Sequence, residues 1–236
     1  MALHIQSVHS IQRISKWLVN WSIAMIIITG VLSIETLYQN LQYLFTGDEK
    51  FFLEYMGPTL IFAAAYFVIE IVTSIITLYW FYRANKNTHI FGATGISPPI
   101  MAVIWWFIPI LNLWKPYTVA RDIWKVSASH AGLENSTGWK ELPSSNTIKL
   151  WWILGLLAVL LTVVNGAFTG FDYSDTELVG QGLVAINKIT YYSNFIVISI
   201  YILSITSTLF FIRMIKHVSM WQEVRRGPSS LDMTLT

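Results

Sequence analysis

Glu70 is the residue whose type and place most suggest chemistry. It stands twelfth of the 24 residues of an apolar run from Thr59 to Tyr82, so a bilayer crossed by that run would hold its carboxyl near the midplane. An ionisable group at that depth is costly to keep and recurs in proton relays and ion sites. Polar residues at helical spacing accompany it: Tyr66 and Thr73 on the same run, Asn165 on the run Leu150 to Gly170, and Tyr201 on the run Ile189 to Ile212. Two readings stand open. Glu70 couples a transported ion or proton, or it is a protonated carboxyl bonded to hydroxyls such as Tyr201 or Thr162 that fixes helix register. Glu35, near the end of the first apolar run and off its polar face, reads as a solvated interfacial carboxylate.

A second group gathers in mid-chain. Arg83, Asn87, Asn112, Lys115, Tyr117 and Arg121 offer guanidinium, ammonium and amide donors near one end of the apolar runs, a set suited to a phosphate or lipid headgroup. The competing reading makes the cations ordinary boundary charges and the asparagines caps or turns. Other chemistry is missing. There is no cysteine, so disulfides, thiolate metal sites and a cysteine nucleophile are excluded. None of the five histidines lies inside an apolar run, which argues against paired axial ligands for a haem. No zinc-protease, nucleophile-elbow, phosphate-loop or dinucleotide pattern occurs. Ser97 with His89 or His130 is a pairing almost any loop could offer. The sequence indicates no metal, no cofactor and no catalytic residue.

The elements that carry these groups follow from composition. Apolar residues make up 54% and charged residues 12% of the 236, far from the balance of a soluble domain. Four runs have the length of a membrane helix: Trp17 to Tyr38, Thr59 to Tyr82, Leu150 to Gly170 and Ile189 to Ile212. The fifth, Pro98 to Trp114, holds 17 residues, and Pro98, Pro99 and Pro109 interrupt it. Basic residues mark the cytoplasmic side of a membrane protein. If four helices span and the fifth run enters and leaves by the same leaflet, 13 of the 15 Lys and Arg fall inside, against 10 if it spans. All eleven tryptophans then fall at inner helix ends, in the dipping segment or in cytoplasmic segments. Small and polar residues such as Ser22, Thr29, Thr36, Thr162 and Thr208 recur on one face of each span, where helices should meet.

The expected fold is therefore all-α: an integral membrane four-helix bundle with a cytoplasmic-side re-entrant segment over about 98–114 and a following amphipathic interfacial helix, Tyr117 to Ser127. Residues 1–16 form an N-terminal interfacial segment, 17–226 the membrane domain and 227–236 a mobile tail. The stretch from Gly132 to Asn146 also reads as mobile and polar.

The middle of the chain resembles a known family. Arg83, Ala84 and Asn87 close the second helix, followed by Ser97-Pro98, by Trp106-Phe107-Ile108-Pro109-Ile110-Leu111-Asn112-Leu113, by Lys115-Pro116-Tyr117 and by a helix carrying Ile123-Trp124. These elements, over about 46 residues, resemble the uncharacterised bacterial membrane proteins of domain of unknown function 4328. The resemblance implies a multi-pass membrane domain of the bacterial cytoplasmic (inner) membrane and brings no established activity or binding role. The residues themselves put both termini in the cytoplasm.

Three functions are compatible with this pattern. The first is a non-enzymatic module that binds membrane lipid, a small molecule, a protein partner or a second copy of itself. The second is a small transporter or ion-conducting oligomer that uses Glu70, and the third a lipid-modifying enzyme at the cytoplasmic face. Nucleic acid is a poor partner, because net charge is only +2 and the cations are dispersed.

Overall fold

A segment that lies in lipid must bond every backbone N–H and C=O within itself, so long apolar runs become helices. In the computed structural model, which describes residues 8–46, 50–129, 137–172 and 182–226 (side chains at 43, 50–59, 168–172 and 182–192 excepted), they do. The helices are α1 (Gln12–Thr46), α2 (Lys50–Ile90), α3 (Met101–Ile104), α4 (Lys115–Ala128), α5 (Asn146–Asp172) and α6 (Gly182–Arg226). No strand occurs among the described residues. Four segments are long and apolar enough to cross a membrane: Gln12–Thr46, Leu60–Ile90, Asn146–Ala167 and Ser193–Arg226. The fold is thus all-α with four membrane-length helices, as the sequence predicts. At 35 residues, α1 is about 52 Å long, well beyond the roughly 30 Å of a bilayer core.

The proline-rich run is not a fifth such helix. It contains only the four residues of α3 and a 3₁₀ turn at Leu111–Leu113. Pro109 has no N–H to give, and the chain recovers through Asn112 N donating to Ile108 O at 2.7 Å. Pro116 sits in the first turn of α4, where its missing N–H costs nothing.

The chain divides into two compact units. The first holds the described residues up to Ser22, those from Ile71 to Leu150 and those from Phe210 onward. All twelve of the largest fully buried side chains belong to it, among them Ile11, Leu18, Trp80, Phe81, Ile123, Met214 and Val218. Here α4 covers Val119, Ala120, Ile123 and Val126 with protein, while Tyr117 and Trp124 are only half-buried. Trp139 is buried beside Ala93 and Val126 in a stretch expected to be mobile, and its indole donates to Thr94 O at 3.3 Å. After α2, Gly92 adopts a left-handed φ of +83°, which lets its N–H reach His89 O at 3.0 Å and close the helix. Residues 1–7 of the expected N-terminal segment 1–16, the expected tail 227–236, and residues 130–136 lie outside the described residues.

The second unit comprises Ile23–Glu70 and Trp151–Leu209. Much of its apolar surface faces outward, including Ile34, Ile61, Phe67, Val163 and Ile202, as expected where lipid is the solvent. Its threonines differ from expectation. Thr36, Thr162 and Thr208 donate to the carbonyls of Leu32, Ala158 and Ser204, so their protons are spent on their own helices, although the Thr36 hydroxyl also meets Tyr201 of α6. Contact between α5 and α6 is instead made close by Gly155, where a Cβ would lie 3.4 Å from Ser207 Oγ, and by that hydroxyl donating to Trp151 O at 2.8 Å.

Candidate functional site

The structure resolves the two predicted groups differently. In the first unit, the group from Arg83 to Arg121 separates into structural and available members. Asn87 is fully buried and its amide is committed: Nδ2 donates to His9 O and to Gln222 Oε1, each at 2.8 Å, and Oδ1 accepts from His9 N at 3.0 Å. Gln222 completes the network by donating to Ala84 O at 3.1 Å and Ser127 Oγ at 2.9 Å. Arg121 is tied to its neighbour Asp122 at 2.9 Å. Burial raises the Asp122 pKa, and the Arg121 guanidinium opposes that rise only in part. Tyr117 is half-buried on α4.

Arg83, Asn112 and Lys115 remain. Phe81 on α2 packs edge-on against Trp106 with ring centroids 5.5 Å apart, which brings the proline-broken segment to the end of α2, two residues from Arg83. Lys115 holds its ammonium 5.1 Å above the ring of Trp105, and Arg83 lies 5.9 Å from the ring of Tyr79. Three buried polar atoms here have no protein partner: Arg83 Nε, Trp105 Nε1 and Asn112 Oδ1. Such atoms are costly and call for a partner of some kind. The positive charges of Arg83 and Lys86, after burial itself, lower the pKa of His9. Beyond this base the segment turns outward, with Phe107 and Ile110 each 70% exposed and Pro109 exposed between them.

In the second unit, Glu70 is half-buried and Tyr66, four residues earlier, hydrogen-bonds its side chain. Tyr66 also lies within electrostatic reach of Tyr201, and Tyr201 in turn bonds Thr36 and faces Glu35. The structure therefore gathers two carboxyls and two phenols from α1, α2 and α6. Asn165 joins a separate pair, accepting from Ser193 Oγ at 2.9 Å, while Asn194 donates to Asn40 Oδ1 at 2.7 Å. Thr73 belongs to the first unit, where it is buried with a hydroxyl lacking a protein partner. No three His, Cys, Asp or Glu side chains among the described residues could hold a metal ion together.

The profile of the family described as domain of unknown function (DUF4328) matches residues 59–219, about two thirds of the chain. The chain belongs to this family. No curated protein and no solved structure matches it. The DUF4328 region takes in Glu70, Tyr66, the Arg83 to Arg121 group, Asn165 and Tyr201. It leaves out all of α1 and the last turns of α6, and so Glu35 and Gln222.

Those two are what sequence reasoning missed. Glu35 is not close to a helix end, because α1 runs on to Thr46, and its Oε2 is buried. The signal was the apolar continuation Leu41, Leu44 and Phe45, which a span ending at Tyr38 sets aside. Gln222 continues the buried stripe Met214, Ile215, Val218 and Ser219 at three- and four-residue spacing. That periodicity is visible in the sequence once the helix is carried past Ile212.

Proposed function

We propose that this DUF4328 protein is a lipid-engaging membrane module of the bacterial cytoplasmic membrane, with both termini in the cytoplasm and with residues 98–114 dipping into the inner leaflet and returning. One observation carries this reading: an exposed apolar tip, Phe107-Ile108-Pro109-Ile110, stands five residues before Lys115, which is held on a tryptophan ring. Apolar tip below and cation above is the order of groups in a lipid, acyl chain then phosphate. Arg83 Nε, Trp105 Nε1 and Asn112 Oδ1 supply the polar partners that a headgroup would meet. The distribution of Lys and Arg, 13 of 15 on one side, supports the sidedness.

The absence of cysteine makes the test direct. A single cysteine at Ile110, labelled with an environment-sensitive fluorophore in vesicles, gives a blue-shifted emission that nitroxide-labelled lipids quench. A single cysteine at Thr137 reacts with an impermeant thiol reagent only after the membrane is opened. Aqueous emission at Ile110, or labelling of Thr137 in intact cells, overturns the reading.

A second reading is favoured by the grouping of Glu35, Tyr201, Tyr66 and Glu70 in membrane-length helices. Acids linked through phenols suit a proton- or cation-coupled transporter. Under it, Glu70→Gln abolishes a pH-dependent flux in proteoliposomes while the chain stays folded, and a flux unchanged by that substitution removes it.

A further inference from the structure

We infer that a groove between the first turns of α1 and the last turns of α6 is a second lipid site, one that takes the anionic phosphate headgroup of a membrane phospholipid. This goes beyond the segment 98–114, none of whose residues line the groove. The two helix ends run antiparallel: Ser10 Oγ donates to Glu223 at 3.2 Å, and Ser15 and Ser219 bond hydroxyl to hydroxyl. Beside these contacts lies a cavity of about 790 Å³, within the range of small-molecule sites and larger than a headgroup alone needs.

Its floor is built. Ser15 and Ser219 are buried, and the fully buried indole of Trp80 donates to Ser15 Oγ at 2.9 Å, so the base of the groove is a closed hydrogen-bonded set that will not collapse into the space. Its walls are apolar at Val19, Met220 and Val224, with Met220 and Val224 exposed. Two ammonium groups, Lys16 and Lys216, line it from opposite helices, and neither makes an ion pair among the described residues. Its one acid, Glu223, is neutralised by Arg226 at 2.6 Å.

Depth selects the ligand. Lys16 immediately precedes the first apolar run, and Lys216 follows the last by four residues. Trp17, the neighbour of Lys16, is 60% exposed, as an aromatic at a membrane interface would be. Two uncompensated cations at headgroup level, beside apolar walls continuous with the lipid-facing surface, complement a phosphate attached to acyl chains. A free phosphate would satisfy the lysines and leave Val19, Met220 and Val224 uncovered.

The test places a fluorophore at a single cysteine substituted for exposed Val224 in the full-length chain, in neutral detergent. Titration with phosphatidylglycerol should give a saturable response, and phosphatidylcholine a response at least about tenfold weaker, since each basic side chain near an anionic headgroup contributes roughly fivefold. Lys16→Gln with Lys216→Gln should abolish the difference between the two lipids, and Lys16→Arg with Lys216→Arg should retain it. Inorganic phosphate at equal concentration should neither respond nor compete. Competition by inorganic phosphate, equal responses to the two lipids, or a lipid-independent response that grows with protein concentration and so marks a second copy in the groove, each overturns the assignment. The probe at Ile110 reads the other site independently, so failure here leaves the proposed function standing and the converse also holds.

Discussion

The two units differ in which polar residues they gather. In the first, two buried amides tie distant segments together: Asn87 and Gln222 bond each other and the backbone at His9 and Ala84. In the second, Thr36, Thr162 and Thr208 donate within their own helices, Asn194 and Ser207 make single bonds across, and two acids and two phenols gather. Amides do not titrate and need fixed partners at fixed angles, so such a network specifies structure. Carboxyls and phenols hold or release protons, so such a group can act. The first unit packs like a water-soluble core, and the second, with so much apolar surface outward, depends on lipid to cover it. The comparison separates what holds this chain together from what could do work in it.

The sharpest way to break that contrast is Asn87→Ala. It strands His9 N, His9 O and Gln222 Oε1 at a fully buried position. Each stranded buried group costs roughly 1–3 kcal/mol, so the expected loss is about 4 kcal/mol. Tryptophan fluorescence during thermal unfolding in detergent should show a fall in Tm large enough to leave little folded protein at 37 °C. A loss under about 1 kcal/mol would mean the amide network is not what fixes the first unit. Gln222→Ala should cost less, about 3 kcal/mol, and the double variant less than the sum because the partners are shared.

What was legible from the residues alone divides along the same line. Membrane helices announce themselves because lipid imposes one rule along the chain, and the break at Pro109 and restart at Pro116 follow from the missing N–H of proline. The tertiary polar network was not legible. Asn87 meets Gln222 across 135 residues, and nothing local in either segment marks the other as its partner. The sequence places Trp80 at an inner helix end and Trp139 in a cytoplasmic segment, and protein buries both of them. Burial of an aromatic in protein and at a headgroup look alike in sequence, because both suit a ring with one polar atom.

Trp80→Phe probes the same contrast more gently. It keeps the ring in the core and removes one donor from the Ser15 and Ser219 hydroxyls, for an expected loss of about 1 kcal/mol. Glu70→Gln belongs on the other side of the comparison. Glutamine keeps the shape and can still bond Tyr66, so stability should change by less than about 1 kcal/mol in the same assay. A large loss there would make Glu70 a structural residue, and would move the second unit into the class of the first.

The smallest effects concern pH. Burial, then the charges of Arg83 and Lys86, lower the His9 pKa, so the folded state binds a proton at His9 less readily than the unfolded chain. The contribution is therefore fully present above the unfolded value of about 6.5 and is lost as pH falls below it toward the lowered folded value. His9→Gln keeps the backbone bonds to Asn87 and should flatten this slope, seen as a Tm that no longer drops between neutral and mildly acidic pH. Asp122 has the opposite sign. Burial raises its pKa, so the charged form is the strained one and stability declines as pH rises through the folded value. Asp122→Asn removes that penalty and gives up only a partly exposed pair with Arg121, so at neutral pH it should leave the protein as stable or slightly more so, and remove the decline on the acid side of neutrality. A clear loss of stability in Asp122→Asn would show instead that its contact with Arg121 is needed to seat α4, and that the first unit, too, relies on an ionised group.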